Sequence, residues 1–585
     1  MDLFIDTIVA FLNEGLRAAG VESAPEVAGA MIETPPDPEM GDYAFPCFAL
    51  AKVMRKAPPA IALELAEKLA AAAQAQPLLM GVEAAGPYLN FRVSPQAMAE
   101  TTLRGVLEGG YFKGNRELGC KKVMVEYSQP NTHKAFHVGH MRNVALGDAL
   151  VRIMEYNGHQ VVAANYIGDI GTHIAKCLWV YLNHRQEEPP PRDGSANRGE
   201  WLGTLYTAAD RLLAEADQDT REGYEREIRE ILRQLESGTG EVHKLWRETR
   251  AWSLAAFDEI YQWLGARFDT VFYESDMEMG LQIVEEGLQS GVFQRSQGAV
   301  GIDLEPHKLG FFLVLKSDGS SLYSTKDLAL AQIKFRDHGI QESIYVVGAE
   351  QTLHFQQVFK TLQLLGYGQA ADCHHLPYGL VMLPEGKMSS RAGNVILFSR
   401  LREELNDYIE SNYMHGYRGQ WSDEEIAETT RRIAVAAIRY GMIKQDPGKS
   451  IIFNLEDWLV SEGDTGTYLC YAYTRIQSVL RKVGRSPDPD ADYSLLTLES
   501  ERRLVRALHD FNRAVAHAER DLRPNLVANA LFQIAKEFSR TYATSPVKQA
   551  EDPALGNARL ALFTATGLLL KQGLALLGIV PPERM

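Results

Sequence analysis

The segment from residue 122 to residue 166 constrains the fold most, because it reads as strand, helix and strand in one short stretch. Apolar runs at 122–127 and 160–166 flank a helical stretch at about 140–157. A connection of this length joins two parallel strands of one sheet. We therefore expect an α/β protein built on a parallel sheet.

The chain has 585 residues, more than one hydrophobic core usually supports, so we expect several domains. Strand-like runs at 299–304, 311–315 and 343–348 are expected to continue the same sheet from non-contiguous pieces. The expected organisation, in chain order, is an N-terminal module at 1–115, an α/β domain at 116–400 with a helical insertion near 186–295, a connecting helical segment at 401–455, and a helical domain at 456–585.

Composition argues against several classes of protein. The five cysteines include no Cys-x-x-Cys pair, which disfavours a zinc ribbon and a disulfide framework and fits the reduced cytoplasm. The longest apolar stretch, 560–570, is too short to span a bilayer, so we expect no membrane role. A net charge of −16 disfavours a nucleic-acid partner, although an acidic protein can carry a local basic face.

Residues 137–140, His-Val-Gly-His, stand where the first strand hands over to the helix. Backbone N–H groups and the helix dipole favour a phosphate there. His137 and His140 share a helix face and can donate hydrogen bonds to a bound nucleotide, while Gly139 lets it approach the backbone. The alternative is an ordinary helix start. Zinc is disfavoured because no third or fourth ligand is close in sequence.

Residues 387–390, Lys-Met-Ser-Ser, lie on a second segment with glycine on both sides. Such a loop can close over a ligand. Lys387, with the hydroxyls of Ser389 and Ser390, suits phosphate oxygens, because nucleotidyl transfer moves negative charge onto a pyrophosphate leaving group. By itself Lys387 would be interpreted as a solvated loop lysine. Beside the histidine pair, the segment predicts a second set of contacts to one ATP triphosphate.

The two segments resemble the signature motifs of the class I aminoacyl-tRNA synthetases, and further motifs resemble the arginyl-tRNA synthetase family. The resemblance covers nearly the whole chain, in segments at 41–44, 126–131, 141–143, 165–172, 322–329, 462–466 and 521–524. Matches in this order are far more specific than either short motif. The resemblance implies a Rossmann-like catalytic domain, an N-terminal α+β module and an all-helical C-terminal domain.

The resemblance also implies the reaction, which is ligation of L-arginine to the 3′-terminal adenosine of its tRNA. Arginine and ATP form arginyl-adenylate and pyrophosphate, and transfer to tRNA then releases AMP. Lys134 is a further phosphate partner, with an exposed helix-cap residue as the alternative. Mg²⁺ is expected with ATP. Catalysis is assigned to His137, His140 and Lys387, and ATP contacts to these three and to Gly139, Met388, Ser389 and Ser390.

Arginine recognition requires acidic groups at the planar guanidinium, whose five donors favour fork-shaped pairing with a carboxylate. Asp327 is the first choice for this pairing. Tyr323 shares its face if the stretch is helical, and core packing is the alternative for this tyrosine. The resemblance implies further arginine-binding positions at Glu126, Ser128, Asn131, Glu274 and Gln351.

The two ends of the chain resemble tRNA-binding parts of the family. The helical domain resembles the anticodon-binding domain, where aromatic and basic side chains stack on unpaired bases and meet phosphates. The N-terminal module resembles the family's additional module for the tRNA elbow. Core packing is the alternative for the tyrosines of the helical domain. We expect a monomer whose tRNA contacts include Tyr43, Tyr468, Tyr471 and Arg475.

The chain departs from the family pattern after the second strand. The family pattern there usually resembles Gly-Asp-Trp-Gly-x-Gln-Phe-Gly, whereas this chain has Ile170 and His173 at the Trp and Gln positions. Three alternatives stay open: a small-molecule nucleotidyltransferase, which needs no large helical tail, a non-catalytic RNA-binding relative, and a synthetase for another amino acid. Asp327 with Tyr323 distinguishes arginine from other amino acids.

Overall fold

The computed structural model describes residues 2–18, 20–21, 25–35, 37–114, 119–184, 189–192, 194–276, 280–317, 319, 322–384, 386–387, 395–550 and 552–585. The chain divides into two compact units. The first contains Met1–Glu117, Leu480–Asp510 and Lys536–Leu569. The second contains Leu118–Val479, Phe511–Ala535 and Leu570–Met585.

The N-terminal part of the first unit has the α+β character expected of it. Its three strands form an antiparallel sheet of order β1-β3-β2. Ser94 caps α4 by accepting a hydrogen bond from the Ala97 N–H at 3.2 Å. The elements are α1 (Leu3–Ala18), β1 (Tyr43–Pro46), α2 (Ala51–Met54), α3 (Pro58–Ala75), β2 (Leu79–Ala85), β3 (Tyr88–Val93) and α4 (Pro95–Leu107).

The rest of the chain continues the numbering. Its strands are β4 (Lys122–Glu126), β5 (Gln160–Ile167), β6 (Thr270–Tyr273), β7 (Gln294–Ser296), β8 (Ala299–Asp303), β9 (Phe311–Leu315), β10 (Glu342–Gly348), β11 (Cys373–Tyr378), β12 (Val381–Leu383), β13 (Gly386–Lys387) and β14 (Ile451–Ile452). Its helices are α5 (Val138–Tyr156), α6 (Thr172–Asn183), α7 (Ser195–Glu215), α8 (Gln218–Glu236), α9 (Gly240–Leu264), α10 (Gly280–Gln289), α11 (Tyr323–His338), α12 (Thr352–Leu364), α13 (Phe398–Ile409), α14 (Asp423–Ile443), α15 (Leu455–Leu459), α16 (Gly466–Val483), α17 (Glu499–Arg520), α18 (Asn525–Thr544) and α19 (Pro553–Leu576).

The main sheet of the second unit is parallel, with strand order β11-β10-β4-β5-β6 among the described residues. The chain runs from the central strand β4 outwards through β5 and β6, and returns to the other side of β4 with β10. In this register Val125 pairs with Ala163 on one side and with Ile344 on the other. The predicted α/β architecture with a parallel sheet is therefore confirmed.

Two expectations about the strands need correction. The runs at 299–304 and 311–315 do not join the main sheet, because β7, β8 and β9 form a separate antiparallel sheet. Residues along β9 alternate between exposed and buried, which fits a sheet with one face in solvent. Strand β6, which begins at Thr270, belongs to the main sheet although it lies inside the range expected for the helical insertion.

A buried ion pair joins α5 to α14. The Arg439 Nη2 lies 2.8 Å from the Asp148 Oδ2, and neither side chain is exposed by more than 1%. The same guanidinium donates hydrogen bonds to the carbonyls of Leu264 at 2.8 Å and Leu577 at 3.1 Å. A charge is tolerated inside a protein when it is paired and its donors are satisfied. Arg439 therefore holds α5 together with the ends of two other helices.

Replacing Gly147 on α5 by alanine is expected to destabilise the second unit. The added Cβ would lie 2.2 Å from the Cγ of Tyr127, so the helix or the ring must move. We expect a cost of about 1–3 kcal/mol, seen as a lower midpoint temperature of thermal unfolding. Gly223→Ala on α8, where the nearest atom is 3.9 Å away, is the control and should keep or raise the midpoint. A native midpoint for Gly147→Ala would contradict the prediction.

Candidate active site

The crevice at the carboxyl ends of β4 and β10 is the natural ligand site of this sheet, because the strand order reverses between these two strands. Strand β4 ends at Glu126 and β10 ends at Gly348. The chain from Glu126 to the start of α5 at Val138 leaves the sheet on this side. The predicted residues between 126 and 140 therefore lie on one short segment at the crevice.

The backbone after β4 is held in an uncommon conformation. Ser128, Gln129 and His133 have φ values of 79°, 43° and 62°. Such residues persist where their surroundings determine the backbone. The buried Asn143 on α5 supplies part of this constraint: its Oδ1 accepts the Ser128 N–H at 2.8 Å, and its Nδ2 donates to the Val346 carbonyl of β10 at 3.0 Å. Asn143 thus fixes the loop at the point where the sheet reverses.

His137 and His140 cap the first turn of α5 reciprocally. The Nδ1 of His137 accepts the Gly139 N–H at 3.1 Å, and the Nδ1 of His140 accepts the His137 N–H at 3.2 Å. Burial lowers the pKa of His137 to about 4 and holds the pKa of His140 well below its usual value. Each neutral ring therefore carries its proton on Nε2, which the cap does not use. The two rings lie side by side, with centroids 3.9 Å apart.

The second motif begins on the hairpin of β12 and β13, where Lys387 pairs with Met382 through the backbone. The chain later returns to α5, because the Val138 N–H donates to the Ile396 carbonyl at 3.0 Å. The segment that carries the second motif therefore ends against the start of the first motif. Three of the predicted ATP contacts lie outside the described residues: Met388, Ser389 and Ser390.

Arg142 on α5 ties the base of this hairpin to the helix. Its fully buried guanidinium donates to the carbonyls of Gly379 at 2.8 Å and Pro447 at 3.1 Å. Burial lowers the pKa of Arg142 to about 10, so the group stays charged at neutral pH. A planar guanidinium can satisfy several carbonyls at once, which a lysine cannot do in the same geometry.

A cavity of about 300 Å³ opens beside the segment that precedes α5. Its walls include Lys134, Tyr206, Arg211 and Leu397. The Lys134 Nζ lies 5.0 Å from the centroid of the Tyr206 ring. Two cations in the wall suit an anionic ligand, so the phosphate contact of Lys134 stays a prediction that this cavity favours.

An acidic wall lines the crevice around Tyr166 on β5. Burial, followed by the charges of four carboxylates, raises the pKa of the Tyr166 phenol far above its usual value. A site surrounded by several carboxylates attracts a cationic ligand. The four are Asp327, Glu274, Glu126 and Asp169.

Most of this acidic wall is already balanced by charge. Three carboxylates have a Lys or Arg partner: Glu126 with Lys334 at 2.6 Å, Glu274 with Lys326 at 2.8 Å and Asp169 with Arg250 at 2.7 Å. Asp327 differs, because its Oδ2 lies 2.6 Å from the Nε2 of His354. In the described part of the chain, no Lys or Arg forms an ion pair with Asp327. It is the carboxylate with charge left for a ligand.

The other residues predicted to bind arginine border the same crevice. Tyr323 begins α11, so it lies one helical turn before Asp327 and on the same face, as expected if this stretch is helical. Its side chain is 60% exposed. Gln351 directly precedes α12 and lies three residues after the end of β10. The Asn131 side chain packs so closely on Gly168 that a Cβ there would lie 2.3 Å from its Oδ1 and 3.4 Å from a Glu274 oxygen.

Two predicted residues are held by other side chains. Glu126 is buried in the ion pair with Lys334. The Ser128 Oγ is also buried, at 2.7 Å from the hydroxyl of Tyr261 on α9. Both lie beneath the crevice surface, and their contacts favour a role in shaping it.

The predicted tRNA contacts fall into two groups. Tyr43 is fully buried, and its hydroxyl donates to Asp2 at 2.8 Å and lies 2.9 Å from His509. This burial argues against direct contact of Tyr43 with RNA. The residues on α16 are half-buried: the Tyr468 hydroxyl donates to a carbonyl at 3.2 Å, and the Arg475 guanidinium lies 4.5 Å from the centroid of the Tyr471 ring.

Several residues of the crevice were not found by sequence reasoning. Arg142 and Asn143 lie in the quoted segment 141–143, but no role was predicted for them. His354 stands three residues after Gln351 and Lys334 two helical turns after Asp327, but neither spacing reveals a carboxylate partner from a different element. Tyr166 lies in the quoted segment 165–172.

Within the described ranges, the structure has neither a cluster of metal ligands nor a helix that could span a membrane. No group of three or more His, Cys, Asp or Glu side chains could hold a metal ion. Nor does any helix there combine the length and the apolar character that crossing a membrane requires.

Family models match successive parts of the chain. The catalytic domain of the class I (R) tRNA synthetases matches residues 106–455. The DALR anticodon binding domain matches residues 469–585, and the arginyl tRNA synthetase N terminal domain matches residues 6–93. An anticodon-binding domain argues against a small-molecule nucleotidyltransferase.

Known proteins are similar over almost the full length. An arginine–tRNA ligase of Bdellovibrio bacteriovorus is 43% identical over 553 residues, covering 94% of this chain and 93% of the relative. One of Clostridium perfringens is 36% identical over 561 residues, covering 95% and 96%. The solved Thermus thermophilus arginyl-tRNA synthetase has a TM-score of 0.81 at 28% identity, covering 99% of this chain and 100% of that one.

The fold and these similarities define a class I aminoacyl-tRNA synthetase. Within that class, the chain belongs to the arginyl-tRNA synthetase family. The predicted family and enzyme class are thereby confirmed. The activity of this family is the ATP-dependent ligation of arginine to tRNA.

Burial of His173 makes the stability of the protein sensitive to acid. Burial and then the charge of Lys134 lower its pKa from 6.5 to about 3. The folded state therefore keeps the ring neutral, and this contribution is lost as pH falls from 6.5 towards 3, where the unfolded chain binds the proton. His173→Gln, which restores the family residue, should reduce the loss by about 1.4 kcal/mol per pH unit in that window. The free energy of unfolding is measured by denaturant titration at pH 7, 5.5 and 4.5 for both proteins. The same pH dependence in the variant and in the original protein would contradict the prediction.

Proposed function

We propose that Asp327 pairs with the guanidinium of the substrate arginine in the ligation of this amino acid to tRNA through arginyl-adenylate. The charge distribution in the crevice carries this assignment. Three of the four carboxylates around Tyr166 have a Lys or Arg partner, and Asp327 has an imidazole. A guanidinium supplies the planar donors that a carboxylate pairs with in a fork.

The rest of the arginine pocket follows from the same crevice. Tyr323 lies one turn before Asp327. Burial, followed by the charges of Glu274 and Asp327, raises the pKa of its phenol. We assign direct contacts to Tyr323, Asn131, Glu274 and Gln351. Glu126 and Ser128 sit deeper and are assigned to holding the floor of the pocket, because each already has a buried partner.

ATP binding is assigned to the start of α5 and to the second motif. The Nε2–H groups of His137 and His140 donate to phosphate oxygens, and Gly139 allows the nucleotide to approach the backbone. Lys387 acts from the other side, as the sequence predicts, and Met388, Ser389 and Ser390 complete that segment. Mg²⁺ enters with ATP as part of the substrate, because triphosphate oxygens are its preferred ligands.

The chemistry uses positioning and charge stabilisation. An oxygen of the arginine carboxylate attacks the α-phosphorus, the bond to the bridging oxygen breaks, and pyrophosphate leaves with that electron pair. Donors aimed at the developing charge accelerate this step without giving up a proton. The 3′-terminal adenosine hydroxyl of tRNA then attacks the carbonyl carbon of the adenylate, loses its proton, and AMP leaves.

We assign tRNA binding to the ends of the chain, with the domain limits that the sequence predicts. The helical domain at 456–585 reads the anticodon through α16, where Tyr468, Tyr471 and Arg475 are the candidates. The module at 1–115 binds the tRNA elbow with Tyr43 as part of its core. The domain at 116–400 catalyses the reaction and 401–455 connects it to the helical domain.

The setting is proposed to be the cytoplasm, with the protein acting as a monomer. All five cysteines are free thiols, and four are buried, which suits a reducing compartment.

Asp327→Asn is expected to raise the KM for arginine at least about tenfold, because a hydrogen bond to a charged partner contributes about 1.5–3 kcal/mol. The measurement is aminoacylation at saturating ATP and tRNA. Asp337→Asn makes the same chemical change on α11 at an exposed position and serves as the control. An unchanged KM for arginine in Asp327→Asn would remove the assignment.

His137→Asn should separate the structural and the catalytic parts of His137. Asparagine is a good helix cap, so the Gly139 N–H keeps an acceptor and the midpoint of unfolding stays near native. The Nε2–H donor is lost, and we expect kcat to fall about a hundredfold. His137→Ala, which loses both functions, should also lower the midpoint. A native kcat in His137→Asn would show that the ring does not contact the transition state.

A further inference from the structure

His354 joins the arginine pocket from a different helix. It lies in the first turn of α12, and its Nε2 is 2.6 Å from the Oδ2 of Asp327 on α11. The two side chains are 24% and 19% exposed, so both border the crevice. We propose that His354 is a positioning residue for arginine recognition, which holds the Asp327 carboxylate in the orientation that pairs with the guanidinium. This inference rests on the proposed role of Asp327.

The direction of the hydrogen bond follows from chemistry. An ionised carboxylate only accepts, so the Nε2 of His354 carries the proton and donates to Oδ2. The terminal torsion of an aspartate is otherwise broad, and the carboxylate would rotate freely. One donor removes this freedom and uses one of about four lone-pair positions. The remaining positions, including those on Oδ1, stay available to a two-pronged donor.

The imidazole is itself held in place. The ring of Phe312 on β9 lies with its centroid 5.8 Å away, and the ring of Phe355 lies 5.5 Å away in an edge contact. Phe355 in turn stacks on His375 at 4.8 Å. His354 therefore has a fixed ring plane when it meets Asp327. It also links α11 to the start of α12, directly after Gln351.

A histidine at position 354 is better suited to orienting the Asp327 carboxylate than to neutralising its charge. The other three carboxylates around Tyr166 have a Lys or Arg as partner, and a second fixed cation at Asp327 would compete with the substrate. Histidine can donate one hydrogen bond without an obligatory positive charge. The pocket then keeps both the geometry and the attraction that a guanidinium requires.

The test compares variants that differ in one donor. His354→Phe keeps a planar ring but removes the donor, and His354→Gln returns an N–H near the position of Nε2. We expect His354→Phe to raise the KM for arginine about tenfold while the KM values for ATP and tRNA stay unchanged. His354→Gln should recover most of the loss. His374→Gln, at an exposed histidine 3.7 Å from Glu342, is the control.

A double-mutant cycle distinguishes this inference from the proposed function. If Asp327→Asn leaves the KM for arginine unchanged, the role of Asp327 is wrong. If Asp327→Asn raises it and His354→Phe does not, only the role of His354 is wrong. If His354 acts through Asp327, adding His354→Phe to Asp327→Asn causes little further change.

A purely structural role predicts a different pattern. All three KM values would then change together, the unfolding midpoint would drop, and His354→Gln would be as impaired as His354→Phe, which would overturn the proposal. If His354→Phe does not fold, His354→Leu and His354→Gln make the same comparison of donor-free and donor-bearing side chains.

Discussion

The reciprocal cap at the start of α5 is the interaction on which the site depends. Because both Nδ1 atoms accept backbone N–H groups, His137 and His140 can hold their protons only on Nε2 when neutral. Protonation of either ring would remove an acceptor from the cap, so the helix start and the neutral state require each other. The same helix carries Asn143 and Arg142, which fix the loop after β4 and the base of the second motif. Backbone structure and donor direction are therefore set together.

Three of the four carboxylates around Tyr166 have a Lys or Arg partner, and the fourth, Asp327, has a histidine. The protein is acidic overall, with a net charge of −16, yet several of its buried cations sit beside individual carboxylates. Lys334 and Lys326 balance two of them, and Asp327 is left with a partner that orients it. A cationic substrate meets a local negative charge in a fixed geometry. Under the proposed assignment, Asp327 is the carboxylate that recognises arginine, because the other three carboxylates around Tyr166 already have a Lys or Arg partner.

The sequence predicted the parts that depend on local pattern. The runs at 122–127 and 160–166 became β4 and β5, and the motif at 137–140 became a helix start. It did not predict that β8 and β9 form a separate sheet, because their sequences do not show which strands they pair with. It also did not predict partners across elements, such as His354 for Asp327. Tyr43 shows the same limit, since the partners of its buried hydroxyl, Asp2 and His509, are far from it in sequence.

The contacts of Arg439 have a consequence for synthesis of the chain. Its guanidinium contacts Asp148, Leu264 and Leu577. The ribosome synthesises Asp148 and Leu264 before Arg439, and Leu577 after it. While translation has passed Arg439 but not Leu577, the nascent protein holds a cation that lacks one of its final acceptors. The hydrogen bond from Arg439 to the Leu577 carbonyl can therefore form only after Leu577 has been synthesised.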